Sequence, residues 1–257
     1  MSSEKIFKNG LVSVIVPVYN AEQFIQETIE SVLAQTYKNM EIVIVDDCSK
    51  DSSEAIIKRM KKFYSNIIYH KFENNHGAAV ARNVALNIAQ GQYVAFLDSD
   101  DLWKPTKIEE QINLMKDKKS SFCYTAIEMM NDIGEVIKSK RNVIELIDYN
   151  FLLKNTMIAT SSVIIDRIAL GDFQMPLRRA GQDYATWLML LRKGAVACGI
   201  NEALVKYRIR KHSLSSNKLK SIKQVWEIQT QDEKINKVSA VFHVFCFGYN
   251  ALKKYLL

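Results

Sequence analysis

The sequence predicts an α/β fold around a central sheet that is parallel in its first half and mixed in its second half. In the first hundred residues, short runs rich in β-branched and aromatic residues alternate four times with segments whose apolar residues recur at helical spacing. Beyond residue 101 this regular alternation gives way to a less ordered succession of strands and helices. The composition, with 48% hydrophobic and 25% charged residues, is that of a folded globular chain.

Four strands are predicted in the first half. Each is an apolar run suited to a strand that is buried on both faces of a parallel sheet. The four runs are Leu11–Val18, Glu41–Asp46, Ile67–Phe72 and Gln92–Leu97. Helices are predicted between them, around residues 24–33, 56–64 and 80–88, from apolar residues at helical spacing.

The second half is predicted to mix strands with helices. The predicted strands are Ser121–Glu128, Val136–Ser139, Ser161–Ile165 and Ala203–Tyr207, and the predicted helices are Lys107–Lys116 and Asp183–Arg192. We expect one globular domain over residues 1–217, made of a half at about 11–103 and a half at about 104–217. Residues 218–257 then form a helical tail.

The predicted tail is basic and amphipathic. One helical face carries Val238, Val241, Phe242, Phe245, Tyr249, Leu252 and Leu256, and Val244 and Phe247 broaden it. From Leu204 onward there are eleven Lys/Arg against three Asp/Glu, so the formal net charge of +7 belongs to this end of the chain. Such a helix suits a membrane interface, a second copy of the chain, or its own domain.

The cysteines and the N-terminal residues predict a cytoplasmic protein. The four cysteines lie far apart without zinc-ligand spacing, as expected of reduced thiols. The first ten residues are polar and charged, and no run of about 18 apolar residues occurs. We expect a protein of the cytoplasm, with a peripheral position on the inner face of the plasma membrane as the variant that the tail suggests.

Acidic groups and one aromatic follow the predicted strands. Ligands of open α/β sheets bind outside the carboxyl ends of the strands. At these points the chain has Pro17-Val18-Tyr19-Asn20, then Asp46-Asp47, then Asp98-Ser99-Asp100-Asp101. Three carboxylates within four residues, including a D-x-D motif, repel one another unless a cation offsets them, and oxygen ligands suit Mg²⁺ or Mn²⁺. The alternative is that Ser99 or Asp101 caps the next helix while the remaining groups are solvated.

Five further side chains each have a functional and a structural interpretation. Tyr19 either stacks on a nucleobase or fills space at the rim, and Asp47 either accepts hydrogen bonds from a nucleotide or caps a helix. Arg82 pairs with a phosphate or with one of the aspartates. Asp183 either acts as a general base or favours its helix dipole. His212 either helps to neutralise a diphosphate or lies in a solvated basic loop.

Four motifs in order resemble those of the inverting glycosyltransferase family 2. They are Val14–Asn20, Ile44–Asp51, Ala81-Arg82-Asn83 and Phe96–Asp101. The second half is similar to this family through Gly181-Gln182-Asp183 and the segment from Tyr207 to Ser215, and its tail resembles bacterial enzymes of capsule, teichuronic acid or lipopolysaccharide synthesis. The resemblance implies the GT-A fold, with a Rossmann-like nucleotide-binding half and a mixed central sheet, over residues 1–217.

The resemblance also implies a role for each matching residue. It places a general base at Asp183 and a divalent ion at Asp100, with help from His212. The nucleotide of the donor would be held by Pro17, Tyr19, Asp47, Arg82, Asp98 and Ser99. One departure is Gln182, where the family often has glutamate, which leaves the base in place but affects the surroundings of the acceptor. The Q-x-x-R-W motif of processive synthases is not evident, which favours the addition of one sugar.

The expected function is therefore inverting transfer of a sugar from a nucleotide-diphosphate donor to an acceptor hydroxyl, with Mn²⁺ or Mg²⁺ as cofactor. By resemblance the donor is a UDP-sugar and the acceptor a growing surface polysaccharide or a lipid-linked glycan. Expected partners beyond these substrates are a membrane surface or a second copy through the C-terminal helices, and no nucleic acid.

A sugar nucleotidyltransferase is the alternative function. Such an enzyme would require a glycine-rich loop after the first strand, where this chain has Pro17-Val18-Tyr19-Asn20. A nucleic-acid binder leaves the acidic strand ends unexplained.

Overall fold

The computed structural model describes residues 5–155, 157–209 and 218–256, without the side chains of residues 138–139, 218–219 and 251–256. In these ranges a single mixed sheet of ten strands forms the centre of the molecule. The strands are β1 (Lys8–Val18), β2 (Met40–Asp46), β3 (Ile67–Lys71), β4 (Gly91–Phe96), β5 (Leu102–Trp103), β6 (Phe122–Met130), β7 (Val136–Arg141), β8 (Leu146–Ile147), β9 (Ile164–Asp166) and β10 (Ala197–Arg208).

Helices cover both faces of this sheet. They are α1 (Ile25–Leu33), α2 (Ser53–Lys61), α3 (Ala78–Ile88), α4 (Lys107–Lys118), α5 (Tyr149–Leu152), α6 (Arg167–Leu170), α7 (Gln182–Leu191), α8 (Lys218–Glu227) and α9 (Lys237–Leu256). A 3₁₀ turn at Thr160–Ser162 precedes β9, and a π-helical turn at Ile228–Asp232 follows α8.

The order of the strands creates a crevice at one edge of the sheet. The order is β3-β2-β1-β4-β9-β6-β10-β5, with β7 added to β6 and β8 to β10. Strands β3, β2, β1 and β4 are parallel, and β2 and β4 lie on opposite sides of β1. Connections that leave neighbouring strands in opposite directions open a crevice at their carboxyl ends. This is the edge where the sequence places its acidic motifs.

Strand β9 joins the two halves of the sheet. It lies between β4 and β6 and runs antiparallel to both, while β10 is parallel to β6. Because β9 runs against its neighbours, its first residue lies beside the carboxyl end of β4. The backbone N–H of Phe96 donates to the carbonyl of Val163 at 3.3 Å, which fixes this position. The start of β9 therefore faces the same crevice.

Two apolar layers hold the helices to the sheet. On one face Ile25, Ile29 and Ile57 of α1 and α2 are fully buried with Ile108 of α4 against the valine and isoleucine side chains of β1 and β2. On the other face α3 and α7 pack around Trp187, whose ring lies edge-on to Phe96 at 5.5 Å and to Phe122 at 5.3 Å. Burial of aromatic side chains of this size is a main source of stability in such a core.

The tail contacts the rest of the chain through its inner side. Val225, Ile228 and Phe247 belong to the core cluster that contains Trp187. Asp232 receives two hydrogen bonds of 2.6 Å from the guanidinium of Arg178. No helix in the described ranges is both long enough and apolar enough to cross a membrane.

The predicted fold class is confirmed, and several boundaries differ. The first four strands and their helices occur within a few residues of their predicted positions. The predicted strand Ser161–Ile165 begins only at Ile164, because residues 160–162 form a turn. The predicted strand Ala203–Tyr207 is longer, since pairing with β6 extends it from Ala197 to Arg208. The tail is not one helix, because Glu233 and the positive φ of Lys234 interrupt it. The division of the chain at residue 217 stays a prediction, as the boundary falls outside the described residues.

Candidate functional site

The loops after β1 and β2 are tied together at the rim of the crevice. The backbone N–H of Asn20 donates to the hydroxyl of Ser49 at 3.0 Å, and the N–H of Lys50 donates to the side-chain oxygen of Asn20 at 2.8 Å. Asn20 has a φ of 49°, a conformation that asparagine tolerates better than most residues. The turn leaves Tyr19 51% exposed and Pro17 half-buried. Tyr19 therefore presents its ring to whatever occupies the rim.

Asp47 connects the end of β2 to the start of α3. Its two carboxylate oxygens accept from the backbone N–H of His76 at 2.6 Å and of Gly77 at 2.8 Å. Its own N–H donates to the carbonyl of Val18 at 2.8 Å, so the residue also contacts β1. The side chain is buried and does not cap α2. The structure therefore does not support helix capping by Asp47. Instead, its carboxylate connects the end of β2 to the loop before α3.

Arg82 forms the charged contact between α3 and the motif after β4. Its Nη2 donates to the carboxylate of Asp98 at 2.6 Å. The Arg82 side chain is only 8% exposed and that of Asp98 is 30% exposed. The sequence left open whether Arg82 pairs with an aspartate, and the structure shows that it does. The buried Nε of Arg82 has no hydrogen-bond partner in the described part of the chain.

Gln182 extends this contact to α7. With its amide oriented so that both groups are satisfied, its oxygen accepts from Nη1 of Arg82 at 2.7 Å and its nitrogen donates to the carbonyl of Arg178 at 2.8 Å. Gln182 is the first residue of α7, and Asp183 is the second. The preceding Gly181 has a φ of 74°, which an L side chain rarely adopts. One hydrogen-bonded path thus leads from Asp98 through Arg82 to the residue beside Asp183.

The 3₁₀ turn before β9 provides a second path between the same groups. Thr160 donates its hydroxyl to the carboxylate of Asp183 at 3.1 Å. The next residue, Ser161, donates its hydroxyl to Asp101 at 2.5 Å and accepts from the backbone N–H of Asp98 at 3.1 Å. Both side chains are buried. Adjacent residues of one turn therefore position Asp183 and the Asp98–Asp101 motif relative to each other.

Asp101 fixes the end of β10. Its second carboxylate oxygen accepts from the backbone N–H of Arg208 at 2.8 Å. The buried guanidinium of Arg208 donates to the carbonyl of Asp100 at 2.8 Å and forms a short ion pair with Glu27. Asp101 is thus fully occupied by protein groups. It does not cap α4, whose N-cap residue is Thr106 and has no side-chain cap, and it is buried away from the crevice.

The carboxylates of the motif and of α7 share one electrostatic environment. Burial raises the pKa of Tyr207 well above its usual range, and the charges of Asp101, Asp98, Asp100 and Asp183 add to that effect. Burial, followed by Asp98 and Asp100, also raises the pKa of the Asp101 carboxyl well above its usual range. Burial is the larger cause of both shifts, and the neighbouring carboxylates add to it. The negative charges of the motif and of α7 therefore act on the same group, Tyr207.

The residues fit a divalent ion in part. Carboxylate oxygens are the donors that Mg²⁺ and Mn²⁺ prefer, and Asp98 and Asp100 are both partly exposed at the crevice. Asp98 is engaged by Arg82, and the described residues contain no cluster of three groups able to hold an ion by themselves. An ion at Asp100 would therefore take its further ligands from a bound molecule or from residues outside the described ranges. The predicted ligand His212 lies outside the described residues.

The structure brings most of the predicted site residues to one edge of the sheet. Asp47, Arg82 and Asp98 are linked through α3 and its loop, and Asp183 is joined to them through Gln182. Ser99 lies beside them, and its carbonyl accepts from Thr28 at 3.1 Å. The sequence analysis missed Thr160, Ser161 and Arg208. A polar Thr-Ser-Ser run ahead of an apolar strand was the available signal for the first two.

The arrangement described so far defines an α/β protein with a mixed central sheet and an acidic crevice at the carboxyl edge of its parallel strands, the edge where such sheets bind ligands. The family model of Glycosyl transferase family 2 matches residues 13–175, and the chain belongs to that family. It is a glycosyltransferase.

Relatives match along nearly the whole chain. It is 44% identical over 246 residues to the Bacillus subtilis protein TuaG, which is named for a glycosyltransferase role in teichuronic acid biosynthesis; the match covers 96% of this chain and 98% of the relative. It is 40% identical over 242 residues to WfaP of Escherichia coli, named as a UDP-Glc:alpha-D-GlcNAc-diphosphoundecaprenol beta-1,3-glucosyltransferase, covering 94% of this chain and 93% of the relative.

Solved structures share the fold. S. aureus TarS in complex with UDP-GlcNAc superposes with a TM-score of 0.70 at 20% identity, covering 91% of this chain and 70% of that one. The mannosyltransferase PcManGT of Pyrobaculum calidifontis, in complex with GDP-Man and Mn²⁺, superposes with a TM-score of 0.66 at 19% identity, covering 88% and 65%. These neighbours confirm the predicted GT-A fold.

Proposed function

We propose that this glycosyltransferase moves one sugar from a UDP-sugar to a hydroxyl of a lipid-linked envelope glycan, with inversion at the anomeric carbon. The observation that carries the proposal is the double connection of Asp183 to the motif after β4. Gln182 and Arg82 form one link, and the turn at Thr160 and Ser161 forms the other. A general base on one element can act at a donor bound by another element only if the two elements are held in a fixed position relative to each other.

The donor nucleotide is assigned to the first half of the crevice. Tyr19 offers an exposed ring for stacking on the base, beside Pro17. Asp47 holds the loop before α3 and lies at the end of β2, where it would meet the polar edge of the base. Asp98 and Ser99 would approach the ribose, with Arg82 fixing the carboxylate of Asp98. The UDP and UDP-GlcNAc complexes of TarS, which has the same fold, support a uridine donor.

The general base is assigned to Asp183. Its carboxylate lies in the first turn of α7, where it accepts from Thr160. A carboxylate there can remove the proton of an acceptor hydroxyl as that oxygen attacks the anomeric carbon. Attack from the face opposite the leaving diphosphate exchanges one C–O bond for another and inverts the configuration. The proton passes to Asp183, and the diphosphate leaves as UDP.

Asp100 is assigned to a divalent ion, Mn²⁺ or Mg²⁺, with His212 as a further candidate ligand. When bound, such an ion supplies positive charge that neutralises the diphosphate as it departs. The partly exposed carboxylates of Asp98 and Asp100 and the Mn²⁺ complex of PcManGT support this assignment. The protein's own contribution is to engage the Asp101 carboxylate with Ser161 and Arg208, while Asp98 and Asp100 stay partly exposed at the crevice.

The acceptor is assigned from the relatives named for teichuronic acid and for diphosphoundecaprenol-linked glucosyl transfer. We propose a hydroxyl of a glycan linked through diphosphate to a polyprenol. Such a lipid resides in a membrane, so we place the enzyme as a peripheral protein at the inner face of the plasma membrane.

The decisive experiment compares Asp183→Asn with the wild type in transfer and in donor binding. Transfer is followed from a panel of UDP-, GDP- and dTDP-sugars to a diphosphate-linked GlcNAc lipid, and binding by thermal shift with each nucleoside diphosphate with and without Mn²⁺. We expect transfer to fall by about 10²–10⁴-fold while UDP still raises the Tm. Asp148→Asn, which alters a carboxylate that caps α5, serves as the control.

Two outcomes would reject parts of the proposal. Wild-type transfer rates in Asp183→Asn would eliminate this residue as the base. A product that keeps the α configuration of the donor, seen by the anomeric proton coupling in NMR, would reject inversion. Asp100→Ala tests the metal in the same assay, and we expect it to abolish the Mn²⁺-dependent part of the UDP shift.

A further inference from the structure

Helix α9 exposes an apolar stripe on the side that faces away from the domain. Five side chains form it, and all are at least 57% exposed: Val238, Val241, Phe242, Phe245 and Tyr249. At 100° per residue they fall within an arc of about 100°. On the opposite side of the helix Ala240 and Phe247 are buried, and Val244 packs against the core. The stripe is about 17 Å long, given the rise of a helix.

The domain does not account for the stripe. Among the described side chains of the apolar face that the sequence predicts, Val244 and Phe247 pack in the core cluster, while the five of the stripe do not belong to it. Leu252 and Leu256 continue the same spacing in the sequence, although their side chains are among those not described. A set of aromatic and aliphatic side chains this exposed is characteristic of a surface that binds a partner.

The charges of the tail are sorted between its two sides. Its described carboxylates are all engaged on the inner side. Asp232 pairs with Arg178, and Glu233 pairs with Arg192 at 3.2 Å and accepts from Tyr149 at 2.9 Å. Glu227 lies 4.0 Å from Arg178 and 3.8 Å from Lys223. The arginines of the domain therefore hold the negative charge of the tail away from the stripe.

Cations border the stripe. Lys237 is exposed immediately before Val238, and Lys234 is exposed in the turn that precedes α9. Lys154 lies 5.7 Å from the ring centroid of Phe242. It also lines a crevice of about 370 Å³ between α5 and α9, together with Phe151, Phe245 and Tyr249. Apolar side chains flanked by lysines, on a helix whose sequence contains no Asp or Glu, match an anionic lipid surface.

We propose that the α9 stripe binds the surface of an anionic membrane. Phe242, Phe245 and Tyr249 would enter the boundary between headgroups and acyl chains, while Lys154, Lys234 and Lys237 contact lipid phosphates. A second copy of the chain fits less well. Its own lysines would meet those of the first copy, with no carboxylate on the stripe to pair with them. Binding of this kind requires neither donor nor acceptor, so it can fail or succeed independently of the proposed sugar transfer.

The test is sedimentation of the full chain with lipid vesicles in the absence of substrates. One set of vesicles is pure phosphatidylcholine, and the other contains about one-third phosphatidylglycerol. We expect binding to the anionic vesicles only, and a fall in the partition coefficient of about tenfold or more in the double variant F242S/F245S. F63S removes a phenylalanine that is 79% exposed at the end of α2 and is the matched control, with binding unchanged.

A second variant separates the electrostatic contribution. K234E/K237E should bind anionic vesicles at least about tenfold more weakly, and its binding should depend less steeply on salt than that of the wild type. All four residues changed are exposed, so the Tm should stay at the wild-type value. Equal binding to both kinds of vesicle, or wild-type binding by F242S/F245S, would overturn the proposal. So would a failure to bind together with a concentration-dependent dimer that F242S/F245S dissociates, since the stripe would then bind a second copy.

Discussion

The backbone N–H of Arg208 donates at 2.8 Å to the carboxylate of Asp101, although the two residues are 107 positions apart in the chain. This contact joins the acidic motif after β4 to the last residue of β10. Asp101 resembles its neighbours in the sequence, but its role differs from theirs. It connects the two halves of the sheet, while Asp98 and Asp100 remain at the crevice.

The first prediction concerns Asp101 and stability. Asp101→Ala leaves the buried N–H of Arg208 and the hydroxyl of Ser161 without their acceptor, and should cost about 1–3 kcal/mol in the free energy of unfolding. Asp101→Asn keeps one acceptor oxygen and should cost less. Chemical denaturation of both variants checks this order. Equal losses for Asn and Ala would show that the hydrogen bond from Arg208 contributes little.

The titration of Asp101 should make the free energy of unfolding depend on pH. Burial raises the pKa of the Asp101 carboxyl in the folded protein, so the folded state holds this proton more tightly than the unfolded chain. The associated stability is complete at acid pH and is lost as the pH rises through the folded pKa. Asp101→Asn removes the titration. Relative to the wild type, we expect its stability to rise as the pH increases above about 4, the pKa of an aspartate in the unfolded chain, and a constant difference would contradict the assignment.

The second prediction concerns Gln182, the residue that precedes the proposed base Asp183 at the start of α7. Gln182→Glu keeps an acceptor for Arg82 but sets a second negative charge beside Asp183 and loses the hydrogen bond to Arg178. A neighbouring carboxylate favours the protonated form of Asp183. We therefore expect the acidic limb of the kcat/KM profile to shift to higher pH, with the maximal rate largely kept. An unchanged profile together with a changed KM for the acceptor would show that Gln182 contacts the acceptor instead.

The third prediction separates two carboxylates at the same edge of the sheet. Asp47 accepts from two backbone N–H groups, and so does Asp51, at 3.0 Å from both Glu22 and Ser53. Both Asp47→Ala and Asp51→Ala should lower stability, by about 1–2 kcal/mol. Only Asp47→Ala should also weaken UDP binding, measured by calorimetry. Equal UDP affinities in the two variants would leave Asp47 with a purely structural role.

The fourth prediction concerns Lys107, which is fully buried and donates to Gln111 at 2.7 Å, with Nζ 4.0 Å from the ring centroid of Trp103. Burial lowers the pKa of Lys107 to about 7. The unfolded chain binds this proton more tightly, so wild-type stability should rise by about 2–4 kcal/mol between pH 7 and pH 10. Lys107→Met should abolish that rise. The loss of a donor for Gln111 costs the same at each pH and does not disturb the comparison.

The sequence predicts well the fold of residues 11–103, the half to which the donor is assigned (the donor half), because its signals are local. β1, β2 and β4 are continuous apolar runs, and their carboxyl ends must share an edge in a parallel sheet, so Asp47 and Asp98 could be placed near each other from the sequence. Proximity of Arg82 to Asp98 could be predicted in the same way, because α3 begins at that edge of the sheet.

The second half was harder because its important contacts join distant residues. β5 and β8 have two residues each and no period to detect. The turn at Thr160–Ser162 interrupts an apolar pattern that alone predicts a strand. Arg208 stands at the head of a basic stretch, yet it is buried because Glu27 and three backbone carbonyls surround its guanidinium. Nothing in its neighbourhood in the sequence indicates those partners.

The reversed direction of β9 limits how this enzyme can be recombined with its relatives. Thr160 and Ser161 belong by sequence to the second half. Because β9 begins at the crevice, however, their hydroxyls contact carboxylates of both halves. A chimera that takes residues up to 103 from one parent and the remainder from another would combine the 160–162 turn of one parent with the Asp98–Asp101 motif of the other. Exchanges meant to alter only the sugar that is transferred should therefore carry the 160–162 segment along with the donor half.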